Sequence, residues 1–281
     1  MAEITAKDIS ELRKQTGAGM LDVKKALEES GGDPEAAKDW LRTKGLAGAA
    51  SRAGRAAQQG AVDVLVDDGT GAVVELTCET DFVAKGEEFR DLVAALTELA
   101  AERGVDDLEN QPYGDGAVGD AIKQLGAKVG ENVALGRTAR YQTSDGIVDG
   151  YKHIQNDRGT IGVLVELGGV DASDHRAREI AHDVALHVAS AAPRHVTRDH
   201  VPPEVVDKER GLLEELTRNE GKPEQAVPKI VEGRLNAFFR DNALVEQPYI
   251  RDPKTTIGEL LAELGPDAEV RRFVRVKVGE E

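Results

Sequence analysis

The sequence predicts an α+β fold with a small N-terminal three-helix module, two duplicated α+β core subdomains with antiparallel sheets, and an inserted antiparallel helical hairpin. Apolar residues recur at helical spacing in the N-terminal stretch, strand-like alternation begins at residue 61, and one order of elements occurs twice. The expected boundaries are 1–54 for the N-terminal module and its linker, 55–144 and 145–279 for the two core subdomains, and 199–236 for the hairpin.

The composition restricts the class of protein. The chain has 281 residues and a formal net charge of −16, and this acidity argues against direct binding of nucleic acid or of acidic membranes. A single cysteine excludes an internal disulfide framework and a cysteine-based zinc site. The sequence contains no apolar run of membrane-spanning length and no signal-peptide layout. We therefore expect a cytoplasmic protein that contacts neither nucleic acid nor membrane directly.

The N-terminal stretch is expected to form three short helices. A Gly-Ala-Gly run at 17–19 separates the first helix from the second. Asp33-Pro34 is typical of a helix start, because a capping carboxylate precedes a proline where no N–H is needed. Trp40 is the largest apolar residue of the third helix, so we expect it at the centre of the bundle. Residues 45–60 are rich in Ala, Gly, Arg and Gln, which indicates either a weakly anchored helix or a linker.

The first core unit is predicted to contain a β-hairpin, two helices and a third strand. Alternating residues 62–66, followed by a turn and the apolar residues of 72–77, predict the β-hairpin. The first helix begins near Glu87 and has one apolar face. This face comprises Phe89, Leu92, Val93, Leu96, Leu99 and Ala100. A second helix near 118–129 and a strand within 131–142 complete the unit.

The same order recurs in the second half of the chain. Residues 147–154 and 161–167 predict another β-hairpin, and residues 254–265 and 268–278 predict a helix that leads into a strand. Between them, a helix is expected to bury one apolar face, formed by Ala177, Ile180, Ala181, Val184 and Val188. We infer an internal duplication whose second copy is interrupted by an insert at about 199–240.

The insert is predicted to be a projecting helical hairpin. Gly221-Lys222-Pro223 combines a helix stop with a helix start, so the two helices pack antiparallel. The first has an apolar seam of Val205, Val206, Leu212, Leu213 and Leu216, interspersed with Glu209, and the second one of Val227, Ile230, Val231 and Phe238. Such an arm is typical of a contact surface for another protein.

No pattern in the sequence supports catalysis. The GDGAVG segment at 114–119 matches the dinucleotide pattern G-x-G-x-x-G, but it does not follow a strand, so we interpret it as a flexible loop before a helix. Cys78 has no histidine near it in sequence and is interpreted as a buried structural cysteine. The helical histidines lack the i, i+4 spacing of a metal site. We expect no catalytic residue, no metal and no cofactor.

The corner between the second predicted strand and the following helix, residues 78–86, is mostly polar but contains one phenylalanine. Polar and charged residues surround Phe82 in a chain with only one Trp, four Tyr and five Phe. Two interpretations stay open. Phe82 either packs as core beneath the following helix, or it projects as an aromatic wedge that a partner protein buries. In the second case Asp81 could fix its direction by a hydrogen bond.

Six segments are spread in order over nearly the whole chain: ELRKQTGAGMLDVKKAL at 11–27, CETDFVAK at 78–85, KVGEN at 128–132, IGVLVEL at 161–167, HVA at 187–189 and GKPEQAVPKIVEGRL at 221–235. Together they resemble the bacterial elongation factor Ts family. The resemblance implies a UBA-like N-terminal module, a coiled-coil hairpin and guanine-nucleotide exchange on elongation factor Tu. The expected partner is elongation factor Tu in its GDP-bound and nucleotide-free forms.

The resemblance also implies roles for individual residues. Thr80, Asp81, Phe82 and Val83 fall in the segment that dislodges Mg²⁺ from the partner, where the phenylalanine inserts between helices of the GTPase domain. Further contacts with the partner are implied for Met20, Val129, Gly130 and His153. The loop after His153 departs from the family pattern.

Two other functions stay open as alternatives. The chain could be a metabolic enzyme that uses 114–119 or its carboxylates, or a structural scaffold that acts through the helical hairpin. A homodimer formed through the core or the hairpin is also left open.

Overall fold

A computed structural model describes residues 4–280. The N-terminal module consists of α1 (Ala6–Thr16), α2 (Met20–Glu29) and α3 (Pro34–Arg52). Thr5 and Asp8 form a capping box at the start of α1, and the Asp33 carboxylate accepts a hydrogen bond from the backbone N–H of Glu35 at 2.9 Å. The predicted start of the third helix is therefore confirmed. Since α3 continues to Arg52, the first half of the 45–60 stretch is helical.

The expected central position of Trp40 is wrong. The buried core of the module consists of Leu12, Val23, Ala26, Leu27 and Ala37. Two of these five residues are alanines, so the helices approach closely and leave no room for an indole between them. Trp40 lies partly buried at the margin, with Lys44 Nζ 5.4 Å from its ring centroid.

The first core subdomain is built on a three-stranded antiparallel sheet. Its elements are β1 (Gln59–Asp67), β2 (Thr70–Cys78), α4 (Asp81–Ala84), α5 (Glu87–Arg103), β3 (Pro112–Tyr113), β4 (Gly116–Ala117), α6 (Val118–Val129) and β5 (Ala134–Gln142). The sheet order is β1-β2-β5. All six residues predicted for the apolar face of α5 are buried, and they form one core with the sheet and α6.

The second core subdomain repeats this topology. Its elements are β6 (Gly146–Gln155), β7 (Arg158–Gly168), α7 (His175–Ala191), α8 (Pro203–Asn219), α9 (Val227–Asn242), β8 (Pro248–Tyr249), β9 (Asp252–Thr256), α10 (Ile257–Ala262) and β10 (Glu269–Lys277). The sheet order is β10-β7-β6, so in both sheets the second strand of the hairpin is central. The helix predicted over 254–265 begins only at Ile257, because the residues before it form β9.

Both subdomains contain a Gln-Pro-Tyr repeat, whose Pro and Tyr form the first strand of a very short β-hairpin. Gln111 stands before β3, and Gln247 stands before β8. In each case the side-chain amide holds the end of the preceding long helix. Gln111 Nε2 donates to the carbonyl of Gly104, directly after α5, at 3.1 Å, and Gln247 Nε2 donates to the carbonyl of Asp241, near the end of α9, at 2.9 Å. This repeat marks the duplication more directly than the order of elements does.

The two sheets pack face to face. A separate apolar cluster lies between them and draws on both subdomains. Its buried members are Val62, Val73, Tyr141, Val148, Leu164 and Val276. Gly162 of β7 permits this close approach, because a Cβ atom there would lie 2.8 Å from Val73 Cγ2 and 2.9 Å from Val64 Cγ2.

The helical hairpin consists of α8 and α9 and is closed by a neck at its base. Arg194 and His195 donate backbone hydrogen bonds to the carbonyl of Asn242 at 2.9 and 3.0 Å, and Leu244 donates to the carbonyl of His195 at 2.9 Å. Only part of the apolar seam predicted for α8 faces α9. Val206 and Leu213 pack in the cluster between the helices, whereas Val205, Leu212 and Leu216 are exposed.

The predicted domain boundaries stay a prediction. Within residues 4–280, no helix has the length and apolar character needed to cross a membrane.

Candidate protein-binding surface

Phe82 projects into solvent from the strand-to-helix corner. Its side chain is 84% exposed, so the interpretation of Phe82 as core is wrong. The reason is the orientation of the one-turn helix α4. Ala84 is fully buried and Val83 packs partly buried against the core of the first subdomain, which leaves residue 82 on the opposite side of the turn.

The side chains on either side of Phe82 hold this short helix together. Thr80 caps its N-terminus, because the hydroxyl accepts a hydrogen bond from the backbone N–H of Val83 at 3.4 Å. Lys85 Nζ lies 2.5 Å from Asp81 Oδ2, and the hydrogen bond and charge of Lys85 lower the pKa of Asp81. The hydrogen bond of Asp81 thus stays within the helix turn, and its carboxylate remains half exposed and ionised.

Glu131 binds the corner from the loop after α6. Its Oε2 atom accepts the backbone N–H groups of Glu79 and Thr80 at 3.1 and 3.0 Å. Its Oε1 atom accepts the Thr80 hydroxyl at 2.6 Å. One carboxylate therefore receives three hydrogen bonds from the two residues that precede α4.

Glu79 makes the reciprocal contact, from the corner to the loop after α6. Its Oε1 atom accepts the backbone N–H of Asn132 at 2.6 Å and lies 3.3 Å from Nη1 of Arg55. Asn132 in turn donates through Nδ2 to the carbonyl of Arg55 at 2.9 Å. These contacts join the corner, the loop after α6 and the segment after α3. We call Glu79 and Glu131 together the carboxylate clamp.

The clamp brings two of the predicted contact segments together. Val129 ends α6 and is partly buried, and Gly130 follows in the left-handed conformation with φ of +77°. Both precede Glu131 directly in sequence, so they lie beside the corner that carries Phe82.

Met20 lies on a turn that approaches the same region. It is the first residue of α2 and is 59% exposed, next to Leu21, which is 82% exposed. Gly17 on this turn lies directly against Lys128, because a Cβ atom at residue 17 would lie 2.5 Å from Lys128 Cε. The Lys128 ammonium also pairs with Glu88 at 2.7 Å. The N-terminal module and the KVGEN segment at 128–132 are thus in contact.

His153 lies apart from these residues. It is exposed near the end of β6, and its Nδ1 atom is 3.2 Å from the hydroxyl of Tyr151. Within residues 4–280, no hydrogen bond joins it to the corner or to the KVGEN segment. The tip of this β-hairpin does contact α5, since Arg90 donates to the carbonyl of Asp157 at 2.8 Å. The neighbouring Ile154, which no sequence pattern marks as a contact residue, is 62% exposed.

Cys78 is fully buried, as expected for a structural cysteine. Burial raises the pKa of its thiol to about 12, with a further contribution from the charge of Glu131.

The GDGAVG segment forms the turn of the β3–β4 hairpin and the start of α6. In the part of the chain that the structure describes, no group of three or more His, Cys, Asp or Glu side chains is placed to hold a metal ion.

Comparison with known proteins gives one consistent family. The family model described as Elongation factor TS matches residues 79–280. Elongation factor Ts of Micrococcus luteus is 44% identical over 284 residues, which cover 99% of this chain and 100% of that protein. Elongation factor Ts of Streptomyces coelicolor is 46% identical over 287 residues, which cover 99% and 100%. Elongation factor Ts of Aquifex aeolicus is 41% identical over 289 residues, which cover 98% of each chain.

Proposed function

The chain belongs to the elongation factor Ts family, whose members are translation elongation factors of protein biosynthesis, and we propose that it promotes GDP release from elongation factor Tu. One observation carries this proposal. Phe82 is a large apolar side chain that is 84% exposed on a corner fixed by its own helix cap and by the carboxylate clamp. A rigid, exposed aromatic residue is suited to insert into another protein.

The conformation of the partner decides whether Phe82 can be buried in the complex. Burial of this side chain stabilises a complex by roughly 1.5–3 kcal/mol. If the site between the partner's helices opens only when the Mg²⁺ and phosphate site is disturbed, binding shifts the partner towards that conformation. Linkage then requires that GDP weaken binding of the factor by the same ratio as the factor weakens binding of GDP. No covalent bond changes, so the proposed function is not that of an enzyme.

We assign the remaining predicted residues to the same partner. Thr80, Asp81 and Val83 surround Phe82 and complete the contact that disturbs the Mg²⁺ site. Support for contacts by Val129, Gly130 and Met20 comes from their place beside the corner or on the turn against Lys128. His153 is proposed as a separate contact, because its side chain lies beside Tyr151 and apart from the corner. Only the tip of its β-hairpin, at Asp157, touches α5 among the contacts described above.

The proposal is tested by release of a fluorescent GDP analogue from elongation factor Tu. Substoichiometric amounts of the chain are expected to accelerate release, and absence of acceleration would contradict the function. Phe82→Ala is expected to slow the stimulated release by about tenfold to a hundredfold, which corresponds to the lost burial.

Val66→Ala serves as the matched control. Val66 is an exposed apolar residue near the other end of β1 from the corner. Its replacement is expected to leave release unchanged. Equal effects of the two substitutions would show that exposed apolar area in general, and not Phe82, is responsible.

A scaffold function through the helical hairpin is the second candidate. Val205, Leu212 and Leu216 form an exposed apolar stripe on α8 that α9 does not cover. If a variant with the hairpin shortened around Gly221 still stimulates GDP release at the normal rate, the stripe serves a purpose other than exchange.

A further inference from the structure

We propose that Glu131 is a positioning residue, which fixes the direction in which Phe82 points before the partner binds. This inference rests on the proposed function, because it concerns the same contact. Glu131 itself lies 49 residues from Phe82 in sequence, and its carboxylate contacts the two residues that precede α4.

The hydrogen bonds form a chain that leads from Glu131 to α4. The Thr80 hydroxyl donates its hydrogen to Glu131 Oε1 at 2.6 Å. The lone pairs of the hydroxyl oxygen therefore remain free, and one of them accepts the backbone N–H of Val83. This second bond is the N-cap of the helix that carries Phe82. Because an ionised acceptor makes strong hydrogen bonds, Glu131 sets the orientation of the cap and thereby of the helix.

The clamp also extends the sheet beyond its last strand pair. The β2–β5 ladder ends at the pair Thr77 and Ala134. Beyond this point, backbone-to-backbone pairing is replaced by the two carboxylates, with Glu131 bound to residues 79–80 and Glu79 bound to Asn132. The corner therefore keeps a fixed place relative to the sheet, although it contributes no strand of its own.

Loss of Glu131 is expected to release this corner. The backbone N–H groups of Glu79 and Thr80 would then bond to water, and α4 would occupy several orientations in the free protein. Binding would have to select one of them, which lowers the rate of productive encounter. We expect Glu131→Ala to slow stimulated GDP release about tenfold, and Glu131→Gln, which keeps one acceptor oxygen, to show an intermediate rate.

A double-mutant cycle separates positioning from a general structural effect. If Glu131 acts through Phe82, Glu131→Ala is expected to change release less than about twofold in a Phe82→Ala background. An equal slowing in both backgrounds would overturn the proposal.

Glu259→Ala is the matched control. Glu259 makes the same kinds of contact in the second subdomain, where it accepts the backbone N–H of Thr256 at 2.7 Å and the Thr256 hydroxyl at 3.1 Å. Its loss removes similar hydrogen bonds from the start of α10 and is expected to leave GDP release unchanged. Equal slowing by both alanine variants would also overturn the proposal.

Hydrogen–deuterium exchange in the chain alone gives a readout that does not depend on elongation factor Tu. In Glu131→Ala, amide exchange in residues 79–86 is expected to accelerate about tenfold or more, while α10 is unaffected, and Glu259→Ala is expected to show the reverse. Unchanged exchange in 79–86 would overturn the clamp. If the unaltered chain fails to accelerate GDP release, only the proposed function is contradicted, because the exchange data still decide whether Glu131 holds the corner.

Discussion

At the scale of single residues, His187 combines full burial with a defined protonation state. Its Nε2 atom lies 2.9 Å from Gln247 Oε1. The amide nitrogen of Gln247 already donates to Asp241, so Oε1 is the acceptor and the imidazole carries its proton on Nε2. Nδ1 lacks a hydrogen-bond partner within the described residues, and burial lowers the pKa of His187. A second proton on this ring is therefore disfavoured in the folded state.

This arrangement predicts that acidification destabilises the fold. The pKa of His187 is lower in the folded than in the unfolded state. The unfolded state therefore binds the proton first as the pH falls below the ordinary pKa of histidine. The free energy of unfolding should fall between about pH 7.5 and about pH 5.5, by at most about 1.4 kcal/mol per pH unit from this group. Urea unfolding at the two pH values measures the difference.

His187→Gln is the comparison for this prediction. The variant keeps an amide donor towards Gln247 but does not titrate, so its pH dependence should be smaller than that of the unaltered chain, even if its stability is lower at both pH values. An identical pH dependence of the two proteins would contradict the role assigned to His187.

The candidate site shows what single-residue patterns can and cannot predict. The polar character of 78–86 is sufficient to single out Phe82, but α4 has only four residues, too few for a periodic pattern to show which side faces the core. Glu131 escapes prediction because its partners lie 51 and 52 residues away in sequence. Such a contact depends on the register of β2 and β5, which no local pattern contains.

At the scale of elements, the hairpin depends on a polar contact near its tip. Arg234 of α9 pairs with both carboxylate oxygens of Glu220, at 2.9 and 2.7 Å, and lies 3.2 Å from the hydroxyl of Thr217. Thr217 is fully buried, although it occupies a position where a coiled coil normally has an apolar residue.

We predict that Arg234→Ala loosens the distal half of the hairpin. The substitution removes the Nη2 contact with Glu220 and the Nη1 contact with Thr217. It should lower the local free energy of opening by about 1–3 kcal/mol, because the buried Thr217 hydroxyl loses a donor. Hydrogen–deuterium exchange in residues 214–226 measures this opening. Arg210→Ala is the control, since the ion pair of Arg210 with Glu232 is longer, at 3.6 Å, and exposed, so its loss should have little effect. Similar acceleration in both variants would refute the prediction.

Helical periodicity predicts the buried faces of α5 and α7 correctly, since every residue named for them is buried. The short strands are not predicted by any periodic pattern. Strands β3, β4 and β8 have two residues each, and so short a segment cannot show alternation. Residues 254–256 are predicted as helix because they stand directly before an apolar helical run. Their two threonines do not reveal that a strand ends there.

At the scale of the whole molecule, the contact between the two sheets holds the subdomains together. Gly162→Ala is expected to lower the free energy of unfolding by about 1–3 kcal/mol, because the new methyl group overlaps the valines of the facing sheet. Urea unfolding tests this expectation.

Gly233→Ala is the control for Gly162→Ala. Gly233 lies in α9, where a Cβ atom would meet no atom of a neighbouring described residue within 4 Å. Alanine there should therefore be neutral or stabilise the helix by up to about 1 kcal/mol. If Gly162→Ala also leaves stability unchanged, the sheets do not pack as closely as the structure indicates.

The duplication is predictable from the order of elements, but the face-to-face packing of the sheets is not. Almost every residue in the second half of β7 is buried, because one face of the strand packs on α7 and the other on the facing sheet. A strand that is buried on both faces shows no alternation of apolar and polar residues. Its sequence therefore indicates a central strand without indicating which neighbour covers each side.

The neck at the base of the hairpin has a consequence for the modular construction of this fold. The chain leaves the second subdomain after α7 and returns beside the same point, where residues 194–196 bond to residues 242–245. The first subdomain crosses the equivalent point with the short loop 104–107. Insertion and deletion of sequence between the paired segments of a neck leave both ends of the core in place. We therefore expect that the hairpin can be shortened or replaced without displacing the core, and that loop 104–107 is the equivalent insertion point in the first subdomain.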